Sequence, residues 1–149
     1  MTVSQPSRQD DISIGNAERL YRRIHRSLLV KDEDTGLARI SSGAFKDKEL
    51  SVHLESVLDE AKLSPESCLR NHNAHKLVSI KAGDARAFNQ AVCRDPTAED
   101  ISHGLVCGSK NSRKVHEGLR DTASWVIPTE PPRYDEIENE MRALGIQRF

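Results

Sequence analysis

A chain of 149 residues, 36% of them hydrophobic, is long enough for one domain with a real core. Its 22 lysines and arginines nearly balance 23 aspartates and glutamates, and the formal net charge of −1 excludes a global field drawing it onto nucleic acid or anionic membrane. Three scattered cysteines, Cys68, Cys93 and Cys107, exclude a secreted disulfide framework, the start MTVSQPSRQDD lacks a signal-peptide pattern, and no apolar run approaches the ~20 residues of a spanning helix; a soluble protein of the reducing cytoplasm is expected.

Residues 1–15 are polar, carry Pro6 and Gly15 without periodicity, and read as a flexible tail. In AERLYRRIHRSLLV, Leu20 and Ile24 fit helical spacing, while Leu20, Arg22 and Ile24 set against Tyr21 and Arg23 also fit a strand; the reading adopted is a strand leading into a short turn. KDEDTG is a loop, and Leu50, Val52 and Leu54 alternate as a second strand. Ser64 before Pro65 predicts a helix start, because proline lacks an N–H that the first turn would leave unused. KLVSIKA reads as a strand with Leu77 and Ser79 on one face and Val78 and Ile80 on the other, and Gly83 and Asp84 open a short helix carrying Ala87 and Phe88.

HGLVCG is a compact apolar strand. Ser109 is then read as the cap of a helix with Val115, Leu119 and Ala123 on one stripe, and SWVI as the last strand. Such interleaving predicts an α+β domain over residues 16–128, with helices packed on a small mixed sheet. Residues 129–149 form a proline-rich linker, PTEPPR, and an appended amphipathic helix. Tyr134, Ile137, Met141 and Leu144 share its apolar stripe, acids crowd its first turn, and Gly145 supplies the stop. That stripe either folds back on the domain or docks on a protein partner or a second copy; the expectation adopted is a non-catalytic binding or assembly module using these four residues for protein contacts, without a cofactor.

RISSGAF supplies the main candidate for small-ligand chemistry. A Ser41-Ser42-Gly43 turn can offer backbone N–H groups and hydroxyls to an anion, and Arg22, Arg23, His25, Arg39 and Lys46 are near enough in sequence to surround it. The competing reading is a plain turn, with the serines satisfying backbone and Phe45 packing inward. An arginine on an early strand (LYRRIH) followed by a hydroxyl pair entering a second (ISSGAF) resembles the Arg…Ser-x-Ser order of NAD-dependent ADP-ribosyltransferases. The resemblance implies NAD as cofactor, with Arg22 or Arg23 anchoring the dinucleotide, Ser41 or Ser42 shaping the nicotinamide ribose pocket, and Glu99 or Glu117 as the later glutamate, though neither sits in a Glu-x-Glu or Gln-x-Glu pair. The chain as a whole resembles short bacterial proteins, a likeness that carries no function.

Three further constellations are weaker. Cys68, His72 and His75 in CLRNHNAH could begin a metal site, completed by Cys93, Cys107 or His103, but the doubled pairing of a zinc signature is missing, and no metal is expected. Cys93 beside Arg94 could pair with His103 as a nucleophile. Lys110, Arg113, Lys114 and Arg120 could present one basic helix face to phosphates, but the few aromatics form no stacking cluster and nucleic acid is not the expected partner.

Overall fold

The computed structural model describes residues 8–146. Eight strands form: β1 (Arg19–His25), β2 (Leu29–Lys31), β3 (Ala38–Ile40), β4 (Glu49–Leu54), β5 (His75–Lys81), β6 (Ala91–Arg94), β7 (His103–Cys107) and β8 (Ser124–Ile127). Among the described residues four α-helices accompany them: α1 (Glu55–Glu60), α2 (Ala82–Ala87), α3 (Arg113–Thr122) and α4 (Tyr134–Ala143). Six strands make one sheet in the order β6-β7-β4-β1-β5-β8, and β2 and β3 form a separate hairpin. The α+β class and the C-terminal helix are as expected. The sheet is antiparallel at every pairing rather than mixed; only β6 and β7 follow one another directly in the chain, and the other neighbours are brought together across long intervening segments.

Strand alternation divides the side chains between two unlike faces. Leu20, Ile24, Leu50, Val52, Leu54, Val78, Ile80, Val92 and Val106 belong to the main core, with Leu119 of α3, Ile137 and Met141 of α4 and Phe45 packed into it. The opposite face has only a small apolar cluster, Tyr21, Leu58, Cys68 and Leu77, and a smaller one of Cys93, Leu105 and Cys107 near the β6 edge. The rest of it is polar.

Several sequence expectations move. The turn after Ser64 is a 3-10 helix over Pro65–Leu69 without a side-chain cap bond, and the cap of α3 is Ser112, whose Oγ accepts from Val115 N, rather than Ser109. The segment read as a tail is only partly one: Asp11 N donates to the Val92 carbonyl at 2.8 Å, Asp10 accepts from Val92 N and from Arg86, and Ile14 is buried in the core. Residues 1–7 of that expected tail lie outside the described residues.

The C-terminal helix belongs to the domain. Tyr134, Ile137 and Met141 are buried in the main core, and Leu144 alone of the predicted stripe stays substantially exposed, at 39%. The linker is pinned as well, with Ala38 N donating to Pro132 O at 2.7 Å and Tyr134 N to Gly36 O at 3.0 Å. Glu140 Oε2 then accepts from Arg26 Nη2 and Lys76 Nζ, both at 3.1 Å. Burial alone would raise the Glu140 carboxyl, but these two cationic donors hold it below the usual carboxylate range. At its end Gly145 takes φ +71°, and Ile146 N reaches back to Met141 O at 2.8 Å. This corrects the expectation that Tyr134, Ile137 and Met141 serve contacts with a partner or a second copy, in favour of the alternative in which the helix folds back on its own domain: a sheet with half its surface apolar needs cover, and this helix supplies part of it.

Candidate functional site

Arg22 and Arg23 are neighbours in β1, so their side chains leave the sheet on opposite faces. Arg22 pairs across β5 with Val78, on the core face. There β1 and β4 are paired over only two registers, and Arg22 Nη1 takes the Ser51 carbonyl at 3.2 Å while Nη2 takes Ala44 O at 3.2 Å and approaches Asp47 at 3.4 Å. Buried Lys110 sets a second clamp, donating to Lys48 O, Val106 O and Gly108 O, with burial pulling its ammonium down to about 8. Lys110 precedes α3 rather than lying on it, and its ammonium is spent on three backbone carbonyls.

The serine turn lies beside Arg22, which donates to Ala44 O, but its chemistry is internal. Ser41 Oγ accepts from Gly43 N at 3.3 Å, Ser41 N donates to Leu28 O, and Phe45 is fully buried. The carbonyls of Ala44 and Ser51 occupy the guanidinium where an anion would have to sit. Arg23 and His25 point to the other face, so the predicted set of Arg22, Arg23, His25, Ser41 and Ser42 is split between the two sides of the sheet.

On that polar face, a cleft of about 440 Å3 is lined by Arg23, His53, Cys68, Arg70, His72, Glu99, Asp100 and Ser102, with Leu58, Leu63 and Ile101 among its walls. Arg23 Nη1 stands 3.0 Å from His53 Nε2 and donates to Cys68 O at 3.2 Å. Arginine has no acceptor, so Nε2 must be the lone-pair nitrogen and the ring proton sits on Nδ1. Nδ1 is 2.9 Å from Asp100 Oδ2, where it donates. Asp100 Oδ1 in turn accepts from the hydroxyl and the backbone N–H of Ser102, at 2.7 and 3.0 Å. One chain of hydrogen bonds thus runs from Ser102 through Asp100 and His53 to Arg23.

Electrostatics follow this order. Burial, with help from the Arg23 charge, pushes His53 down to about 4, so the ring is neutral at pH 7. Burial would raise Asp100, but Ser102 and His53 hold its carboxyl below the usual range. Ser102 lies on the same ring nitrogen as Asp100, and its hydroxyl proton is committed to the carboxylate, so this is not a nucleophile facing a free base. Arg23 uses only Nη1 for its protein partners; Nη2 and Nε make no hydrogen bond with the described residues, and the side chain lines the cleft.

Beside the cleft His72, His75 and His25 follow one another ring against ring, with centroids 5.4 and 5.1 Å apart. Burial first, and then the neighbouring imidazoles and arginines, pushes His75 down to about 4. Among the described residues no group of three His, Cys, Asp or Glu side chains is placed to hold a metal ion. Cys68 is a wall of the cleft, its thiol raised by burial to about 11. The Cys93 and His103 pairing does not form: Cys93 Sγ is directed to Leu105 O, its thiol also raised by burial, while His103 Nδ1 is bonded to Asp95.

A pH dependence of stability follows. The ordinary histidine value is 6.5, whereas His53 and His75 stay neutral in the fold down to about 4. Between those values the unfolded chain binds more protons than the folded one, so stability rises with pH through the window and is fully present above it. Urea midpoints are expected to fall as pH falls from 6.5 toward 4 and to flatten near neutrality; an unchanged midpoint across the window would contradict the burial of these rings.

His53, Asp100 and Ser102 were missed as site residues by sequence reasoning. One signal for them was present: His53 alternates with Val52 and Leu54 and so falls on the face opposite the core, the face Arg23 shares by the same count in β1. No family model matches the chain, and no curated protein or solved structure matches it. No helix among the described residues is long and apolar enough to cross a membrane.

Proposed function

We propose that the protein binds a small molecule bearing one anionic group in the cleft over the polar face, with Arg23 as the seat of the anion and His53 as the group that exchanges a proton with it. The observation carrying this reading is the economy of Arg23: one nitrogen holds His53 and Cys68, and the rest of the guanidinium is left to the cleft. Phosphate and carboxylate match that geometry, since a guanidinium presents paired donors to two oxygens at once. When an anion draws Arg23 toward itself, the Nε2 lone pair of His53 is released beside it, while Asp100 keeps the ring oriented through Nδ1. The buried, unpaired thiols accord with a reducing cytoplasmic setting.

Calorimetric titration of the full chain with inorganic phosphate tests the reading. Saturable binding is expected, weakened at least about tenfold in Arg23→Met, the loss of a charge-assisted pair. Binding that is absent, or indifferent to that substitution, overturns it. A second reading, the NAD-dependent transferase, draws on Glu99 lining the same cleft as Arg23. It requires NAD to be consumed, and to be consumed less by Arg23→Met, while the serine pair on the opposite face plays no part.

A further inference from the structure

The walls of the cleft differ from its floor. Arg23, His53, Asp100 and Ser102 make a polar floor, but Leu63 and Ile101 stand at the cleft with 40% and 57% of their surface in water. These are two of the four large hydrophobic residues exposed among the described residues, and neither belongs to any apolar cluster of the core. They come from separate segments: Leu63 follows the end of α1, and Ile101 lies on the loop before β7. Two exposed aliphatic side chains from different loops beside one charged floor serve no packing purpose that the fold supplies. Leu58, buried at the same cleft, continues their surface inward.

Charge narrows the occupant further. Arg23 and Arg70 line the cleft together with Glu99 and Asp100, so a long polyanion meets two carboxylates, whereas a single compact anionic head seated on Arg23 has no further charges to set against them. We propose that the ligand is an organic phosphate or carboxylate whose one charged head rests on Arg23 and whose apolar body lies against Leu63 and Ile101. This rests on the reading of Arg23 as the seat of the anion, and adds to it the class of molecule carried.

Binding of inorganic phosphate, phenyl phosphate and phenol to the full chain separates the two claims. Phenyl phosphate is expected to bind about tenfold more tightly than inorganic phosphate, as burial of part of a ring against two aliphatic side chains implies. In the Leu63→Ser, Ile101→Ser double variant that advantage should vanish while the affinity for inorganic phosphate stays as in wild type; both positions are exposed, so the fold should tolerate the change. Equal affinity for the two phosphates in wild type, or an advantage that survives the double substitution, overturns the apolar-body proposal alone. Failure of both phosphates to bind, or phenol binding as tightly as phenyl phosphate, overturns the Arg23 reading and this one with it.

Discussion

Ending the chain at Pro128 is expected to unfold it, and Ile137→Ala alone to cost about 2–5 kcal/mol, the range for emptying a filled site in a core. Ile137 is wholly buried, Tyr134 and Met141 nearly so, and all three belong to the main cluster rather than to a satellite. Domains of this size rest on a margin of about 5–15 kcal/mol, so losing three anchors and the ion pairs of Glu140 exceeds what the remainder can supply. Urea unfolding of Ile137→Ala and circular dichroism of the truncated chain are the measurements. A truncated chain that keeps a cooperative transition near that of the full protein would return α4 to the status of an appended element, free to serve a partner.

The second large effect is expected at Arg23. In Arg23→Met the imidazole of His53 loses its cationic neighbour, and its titration midpoint should rise from about 4 without reaching 6.5, because burial, the larger cause, remains. The substitution also leaves the Cys68 carbonyl without the donor it has in the fold, a loss of roughly 1–3 kcal/mol where the group stays dry. Proton resonances of the His53 ring followed through an acid titration read the first effect, and urea midpoints the second. A His53 midpoint that does not move would mean that Arg23 does not share its field, contrary to the 3.0 Å approach of Nη1 to Nε2.

Much of the fold was legible because period-two alternation survives wherever a strand has one dry face. LYRRIH, LSVHL, KLVSIK, HGLVC and SWVI all became strands, and the stripe of α4 became a helix with its glycine stop. What could not be read were pieces too short to show a period: α1, the edge strand β6 and the hairpin strands β2 and β3, whose place is set by the core they cover. The helix at Ser112 was entered early because Ser109 offers the same hydroxyl, whereas in the fold it is Ser112 Oγ that accepts from Val115 N.

The site was legible in its parts and illegible in its assembly. Arginines 22 and 23 stood out together, yet adjacent residues in a strand serve opposite faces, so one became a clamp on carbonyls and the other the floor of a cleft. The serine turn was drawn to the first, where its hydroxyls and backbone are spent on the fold itself. His53 and Asp100 come from strand β4 and the loop before β7, 47 positions apart by their own numbers, and only the β4–β7 pairing sets one against the other. Nothing local announces such a pair. The apolar stripe of α4, by contrast, was read correctly as needing dry surroundings, and the sheet of its own domain provides them.

One measurement bears most directly on the cleft: long-range proton–nitrogen spectra of the His53 ring at neutral pH, recorded as inorganic phosphate is added to the full chain. Without phosphate the ring should show a proton on Nδ1 and an acceptor at Nε2. With phosphate the Nε2 resonance should move and saturate as Arg23 turns to the anion, and Arg23→Met should abolish the response. An Nε2 signal that stays fixed while phosphate saturates elsewhere on the protein, or one that responds equally in the variant, would contradict Arg23 as the seat of the ligand.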